Sequence, residues 1–225
     1  MSRFPTDPKK IRASIKRYEK NLRTENYRDG SGSRYLVGPL YLSIGDLEGA
    51  RQYYEWYEKE FTDDMVEAFN HLCWTLVLLR SGNLKEARIK LIRTYLGNNF
   101  IIPAVLGIPH GQPELKRGCN WEDEDYVSEG NLRLLVLWSA EELVWLRAEW
   151  ENPAFQRIRK RDLEINQALS TEGVGERRSQ LVSEQYGLRN DLEATAEQES
   201  VEQEPVEPAP AAKPNNLVFL SEWRK

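Results

Sequence analysis

The chain has 225 residues, of which 40% are hydrophobic and 30% charged, and a formal net charge of −5. Its two cysteines, Cys73 and Cys119, are too few for a disulfide framework, no Cys-x-x-Cys pattern offers a structural zinc site, and the longest apolar run, Leu132–Leu137, contains Arg133 and falls short of the roughly 18 residues of a membrane span. The charge is uneven: residues 1–34 carry ten Lys/Arg against four Asp/Glu, and residues 191–213 carry seven acids against one Lys.

The N-terminus "MSRFPTDPKK" lacks an apolar core, which argues against a secretory signal and for a reducing, cytoplasmic compartment. Residues 1–27 are expected to form a basic capping helix. Thr6 or Asp7 can cap it, and Pro8 suits a first turn, where its missing N–H costs nothing. Ile11, Ile15, Tyr18 and Leu22 make one apolar stripe, with Lys9, Arg12, Lys16, Lys20 and Arg23 mostly off it. "RDGSGS" (28–33) then breaks the helix.

A phrase follows that is written twice. At an offset of 37 residues, Gly45-Asp46-Leu47 matches Gly82-Asn83-Leu84, and Ala50-Arg51 matches Ala87-Arg88. An apolar helical segment precedes each glycine (35–44 and 67–80), and a helical stripe follows it: Leu47, Ala50, Tyr54, Tyr57 and Phe61, then Leu84, Ala87, Leu91 and Tyr95. A helical hairpin used twice explains the pattern. Glycine can take the left-handed conformation that ends one helix, Asp46 or Asn83 can cap the next, and the small Ala50 and Ala87 let the two rods approach.

Residues 34–100 resemble the tetratricopeptide repeat. Gly38, Tyr41, Gly45, Ala50 and Tyr54 stand where that pattern has a small residue, a Tyr, a Gly, an Ala and an aromatic. In the second copy Gly82 and Ala87 match, while Thr75 and Leu78 depart from it. The order of segments after the repeats is also similar to a group of uncharacterised tetratricopeptide proteins related to a suppressor-of-tumorigenicity family. The resemblance implies an all-α fold, a short right-handed α-α superhelix of two hairpins over 34–150. Two repeats cannot bury their faces alone, so helical caps are expected at both ends.

The stretch "NNFIIPAVLGIPHGQPELKRGCNWEDEDYV" (98–127) turns irregular, since Pro103, Pro109 and Pro113 forbid a continuous helix through it. Residues 123–150 are expected as one helix, apolar on two faces, with Leu132, Leu135, Val136, Ser139, Leu143, Leu146 and Trp150 on one of them. Residues 153–196 read as two weaker helices split by "STEGVGE", docked on the stack or standing off as an arm. Residues 197–225 read as a disordered acidic, Pro-rich linker ending in an apolar motif, Leu217, Phe219, Leu220 and Trp223.

No residue set argues for catalysis, a metal or a cofactor. His71 reads as a helical residue, packed or on the surface. His110 and Cys119 share a loop region, but nothing orients the pair as a nucleophile and base. "EDED" (122–125) lacks the spacing of a calcium loop and suits the first turn of a helix.

The expected function is a non-enzymatic adaptor for a protein or peptide partner. In the resembled family the first helix of each hairpin lines the concave wall. This implies Tyr35, Pro39 and Leu42 there, with Phe69, Leu72, Leu76 and Arg80 from the second copy. The same side chains are equally suited to burial under neighbouring helices. The subclass that grips a carboxylate terminus uses Lys and Asn at places held here by Tyr35, Pro39, Leu72 and Leu76, so an apolar or amphipathic peptide is the expected ligand. The C-terminal motif is itself such a peptide and is a candidate for self-association, within one chain or between two. A second reading has Lys9, Lys10, Lys16 and Arg17 on nucleic-acid phosphates, or the basic head on the chain's own acidic tail.

Overall fold

The computed structural model describes residues 7–25, 27–64, 66–109, 124–129 and 137–190. Every regular element among them is an α-helix: α1 (Pro8–Leu22), α2 (Arg34–Ser43), α3 (Leu47–Glu60), α4 (Ala68–Arg80), α5 (Leu84–Gly97), α6 (Ile101–Leu106), α7 (Glu124–Glu129), α8 (Ala140–Glu151), α9 (Pro153–Thr171) and α10 (Glu176–Asn190). None of these helices is long and apolar enough to cross a membrane.

The twice-written phrase forms two helical hairpins, α2–α3 and α4–α5. Each turns on a glycine in the left-handed region, Gly45 at φ +71° and Gly82 at φ +76°. The following residue caps the next helix. Asp46 accepts from the Gly49 N–H at 3.0 Å, and Asn83 from the Glu86 N–H at 3.4 Å. Close approach at the first turn is enforced from both sides, since Gly38 of α2 leaves room for the Tyr54 ring and Gly49 of α3 leaves room for Tyr41.

Helix α4 is the axis of the molecule. All residues from Ala68 to Val77 are buried, because α2, α3 and α5 pack around it. Its all-round apolar sequence demands this arrangement. Tyr53, Tyr54 and Tyr57 of α3, Phe69, Leu72 and Leu76 of α4, and Leu91 and Tyr95 of α5 are almost wholly enclosed, each stabilising the fold by about 1.5–3 kcal/mol. Between the hairpins, Lys90 of α5 lies 3.5 Å over the Trp74 ring and 2.7 Å from Glu58 of α3. Burial lowers its proton affinity, against the pull of Glu58.

Helix α1 starts at the Asp7 cap, which accepts from the Lys9 N–H at 2.9 Å, and closes one end by setting Ile11 and Ile15 into the core against α2. Helices α8 and α9 lie at the other side. Phe155 and Ile165 are buried, α9 packs on α5, and so residues 153–171 dock on the stack. α10 folds back along α9.

One expectation is corrected. Residues 123–150 do not form one helix: Leu137, Trp138 and Ser139 are not helical, and Ser139 starts α8 with a capping box shared with Glu142. No continuous helix runs on from α5 through the described residues of the proline-bearing region: Pro103 sits in the first turn of the short α6, where no N–H is needed, and that helix ends at Gly107 in the left-handed region.

Candidate interaction surface

The residues expected on the concave wall are near one another but differ in access. Leu42, Phe69, Leu72 and Leu76 are 3% exposed or less and belong to the core, as does the buried Pro39. Phe69 meets the Tyr126 ring of α7 at 5.6 Å between centroids, so one of the chain's own segments covers that part of the wall. Arg80 is held across the end of α4: its Nε donates to Glu142 at 2.7 Å and its Nη2 to the Leu137 carbonyl at 2.7 Å. The arginine thus ties α4 to the start of α8.

Tyr35 is half-buried in a polar network centred on Asp64 in the loop after α3. Asp64 accepts from Arg34 Nε (2.7 Å), from the Tyr35 hydroxyl (2.7 Å) and from the Tyr57 hydroxyl. Arg34 also pairs with Asp29 at 3.2 Å, and Asp29 accepts the N–H groups of Ser33 and Arg34 at the start of α2. Burial works against the Asp64 charge, but these donors outweigh it and hold the carboxyl below its ordinary range. The hydrogen bond to Asp64 raises Arg34, and burial with Asp64 nearby pushes Tyr35 up to about 12. No group here is both free and poised for proton transfer; the network fastens the first hairpin.

A second polar group closes the start of α4. Buried Glu67 accepts from the Phe69 and Asn70 N–H groups at 2.9 Å each, and from the Tyr126 hydroxyl of α7. Burial raises its carboxyl despite these donors. Cys73 is buried and its thiol is pushed up by that burial, which suits packing and not nucleophilic attack. His71 is buried, its ring 6.3 Å from that of Trp74. Among the described residues, no group of His, Cys, Asp and Glu could hold a metal ion. His110, Cys119, the acidic tail and the motif Leu217, Phe219, Leu220 and Trp223 lie outside the described residues.

Among the described residues, the outer face of α1 is an exposed, strongly basic surface. Lys9, Arg12, Lys16, Lys20 and Arg23 follow one line at steps of three or four, opposite the buried Ile11 and Ile15. That line is roughly 21 Å long at 1.5 Å rise per residue. Arg12 lies 3.9 Å from Asp46, and Arg23 lies 3.8 Å from Glu19. Lys9, Lys10, Lys16 and Lys20 are exposed and make no ion pair among the described residues. Arg17, over the Tyr18 ring at 4.9 Å, widens the charged face.

Asp64 and Glu67 could not be singled out from the sequence, since their partners are far away in the chain: Arg34 is 30 positions from Asp64, and Tyr126 is 59 positions from Glu67. The Ser139-x-x-Glu142 capping pattern is a local signal that does stand in the sequence. The chain matches no family model, and no curated protein and no solved structure matches it.

Proposed function

We propose that the protein is a non-enzymatic adaptor. Its two hairpins form a short right-handed superhelix of the tetratricopeptide type, capped by helices at both ends, and hold the cationic face of α1 toward an acidic segment of a partner protein. The observation that carries this reading is the row of exposed lysines, without ion-pair partners among the described residues, on a helix whose other side is locked into the core. A scaffold that keeps such a row rigid lowers the ordering cost of binding, and its charges speed encounter with an acidic partner. An inner groove for an apolar peptide is less well supported, because Leu42, Phe69, Leu72 and Leu76 are already enclosed.

The same lysines favour a second reading, contact with nucleic-acid phosphates. The neighbouring surface argues for the protein partner. Asp46, 3.9 Å from Arg12, sets a carboxylate beside the basic row, where a duplex broad enough to span α1 and the neighbouring hairpin turn would meet it. A narrow acidic peptide can follow α1 alone. Titration of the full chain against a fluorescent Glu-rich peptide and against a labelled duplex, across a salt series, separates the two. Tighter binding of the peptide, weakening as salt rises, supports the adaptor. Preference for the duplex supports the second reading, and binding of neither rejects both.

A further inference from the structure

Among the described residues, Arg159 has no carboxylate partner. It projects from α9 over the Trp150 ring, its Cζ 3.4 Å from the centroid, with the Phe155 ring 5.7 Å away. Tyr95, Trp150 and Phe155 pack edge to face beneath it, with centroids 5.7–5.9 Å apart. The Arg159 Nη1 atom is buried and has no hydrogen-bond partner. Nearby carboxylates are committed elsewhere. Asp162, one turn further along α9, is buried and accepts from Asn99 at 3.0 Å, and Glu149 pairs with Arg88 at 2.7 Å. A guanidinium carries five donors in a planar fork suited to a carboxylate, so leaving it half-buried and unmatched is a cost that a bound anion would offset. Burial accordingly depresses its proton affinity.

We propose that Arg159 and the half-buried Trp150 form a docking site for the chain's own C-terminal motif, with the Glu222 carboxylate on the donors of the guanidinium that remain accessible and a flanking apolar side chain beside the indole. Two observations select this occupant. The first is where the described chain ends. Arg178 donates to the Leu169 carbonyl at 2.8 Å, Gln185 donates to Asn166 at 2.9 Å and Arg161 donates to Glu184 at 2.6 Å, so α10 returns along α9 toward the Arg159 end. Residues 191–216, which separate that end from the motif, have a reach of tens of ångströms, ample for return to α9. The second is chemistry. One cation over an aromatic floor asks for one carboxylate set among apolar groups. "LVFLSEW" has this character, with Glu222 beside Trp223 and close to Leu220, whereas residues 191–207 bring many carboxylates and no large aromatic or Leu beyond Leu192. Tethering raises the effective concentration of the motif to the millimolar range, so a modest contact suffices. The site is separate from α1 and does not rest on what α1 binds.

Amide hydrogen exchange of the full chain tests this. Residues 217–225 should exchange about tenfold or more slowly than in the free synthetic peptide of the same sequence. Glu222→Arg and Arg159→Glu should each abolish that protection, and the double variant should restore it, which general loss of stability would not do. Glu222 is not among the residues of the described helices, so the result of Glu222→Arg stands even if Arg159→Glu fails to fold. Free-peptide exchange in the unaltered chain, protection that survives Glu222→Arg, or protection that grows with protein concentration would overturn the assignment.

Discussion

The Tyr54 ring occupies the space that a side chain at Gly38 would need. A Cβ built on Gly38 would stand 2.3 Å from both Cζ and the hydroxyl oxygen of that ring. Tyr54 has no room to retreat: it is stacked on Trp74 at 4.8 Å between centroids, and its hydroxyl lies 3.0 Å from Asn70 Oδ1. Gly38→Ala should therefore destabilise the fold by about 2 kcal/mol, the overpacking cost exceeding the roughly 1 kcal/mol that alanine gains in a helix. Chemical denaturation of the two proteins measures this; equal midpoints would show that the hairpin can widen freely.

The turn glycines should behave differently. Gly45 and Gly82 have open space where a Cβ would go, so only their positive φ resists substitution. Gly45→Ala and Gly82→Ala should each cost about 1–2 kcal/mol, with asparagine at either site milder because it tolerates that conformation. Similar losses at both positions are expected from the matched turns. A neutral alanine at one of them would mean that the turn there relaxes.

Asp64 makes stability depend on acid. Its folded carboxyl titrates below the ordinary value of about 3.9, so its contribution is complete above that value and is lost as pH falls through the depressed folded value. Denaturation midpoints should fall on acidification below about pH 4, and Asp64→Asn should flatten that part of the profile. At neutral pH Asp64→Ala should cost about 2 kcal/mol, since Arg34, Tyr35 and Tyr57 lose a shared acceptor. An unchanged profile in Asp64→Asn would remove Asp64 as the acid-sensitive group.

Much of the stack was readable because its signals are local. A glycine, an Asx cap and a period of three to four residues fix each hairpin within a short window. The break before α8 was also written locally, in Ser139 and Glu142, but the apolar run before it suggested continuity. Access to the inner wall could not be read, because the same Phe69 serves an open groove or a core. What decides is Tyr126, 57 positions away in sequence and brought against Phe69 by the fold. Arg159 gave no signal either. A lone arginine in a charged helix looks solvated until Trp150 is seen beneath it.

The claim that α1 is the binding face is tested most directly by moving charge while holding its total fixed. Lys9, Lys16 and Lys20 changed to Glu should weaken binding of the Glu-rich peptide by about tenfold or more, a loss of about 1.4 kcal/mol. The control changes exposed Lys59, Arg157 and Lys160 to Glu, giving the same net charge, and should leave affinity nearly unaltered. Equal weakening by both sets would reduce the effect to overall charge, and no weakening by the α1 set would contradict the account.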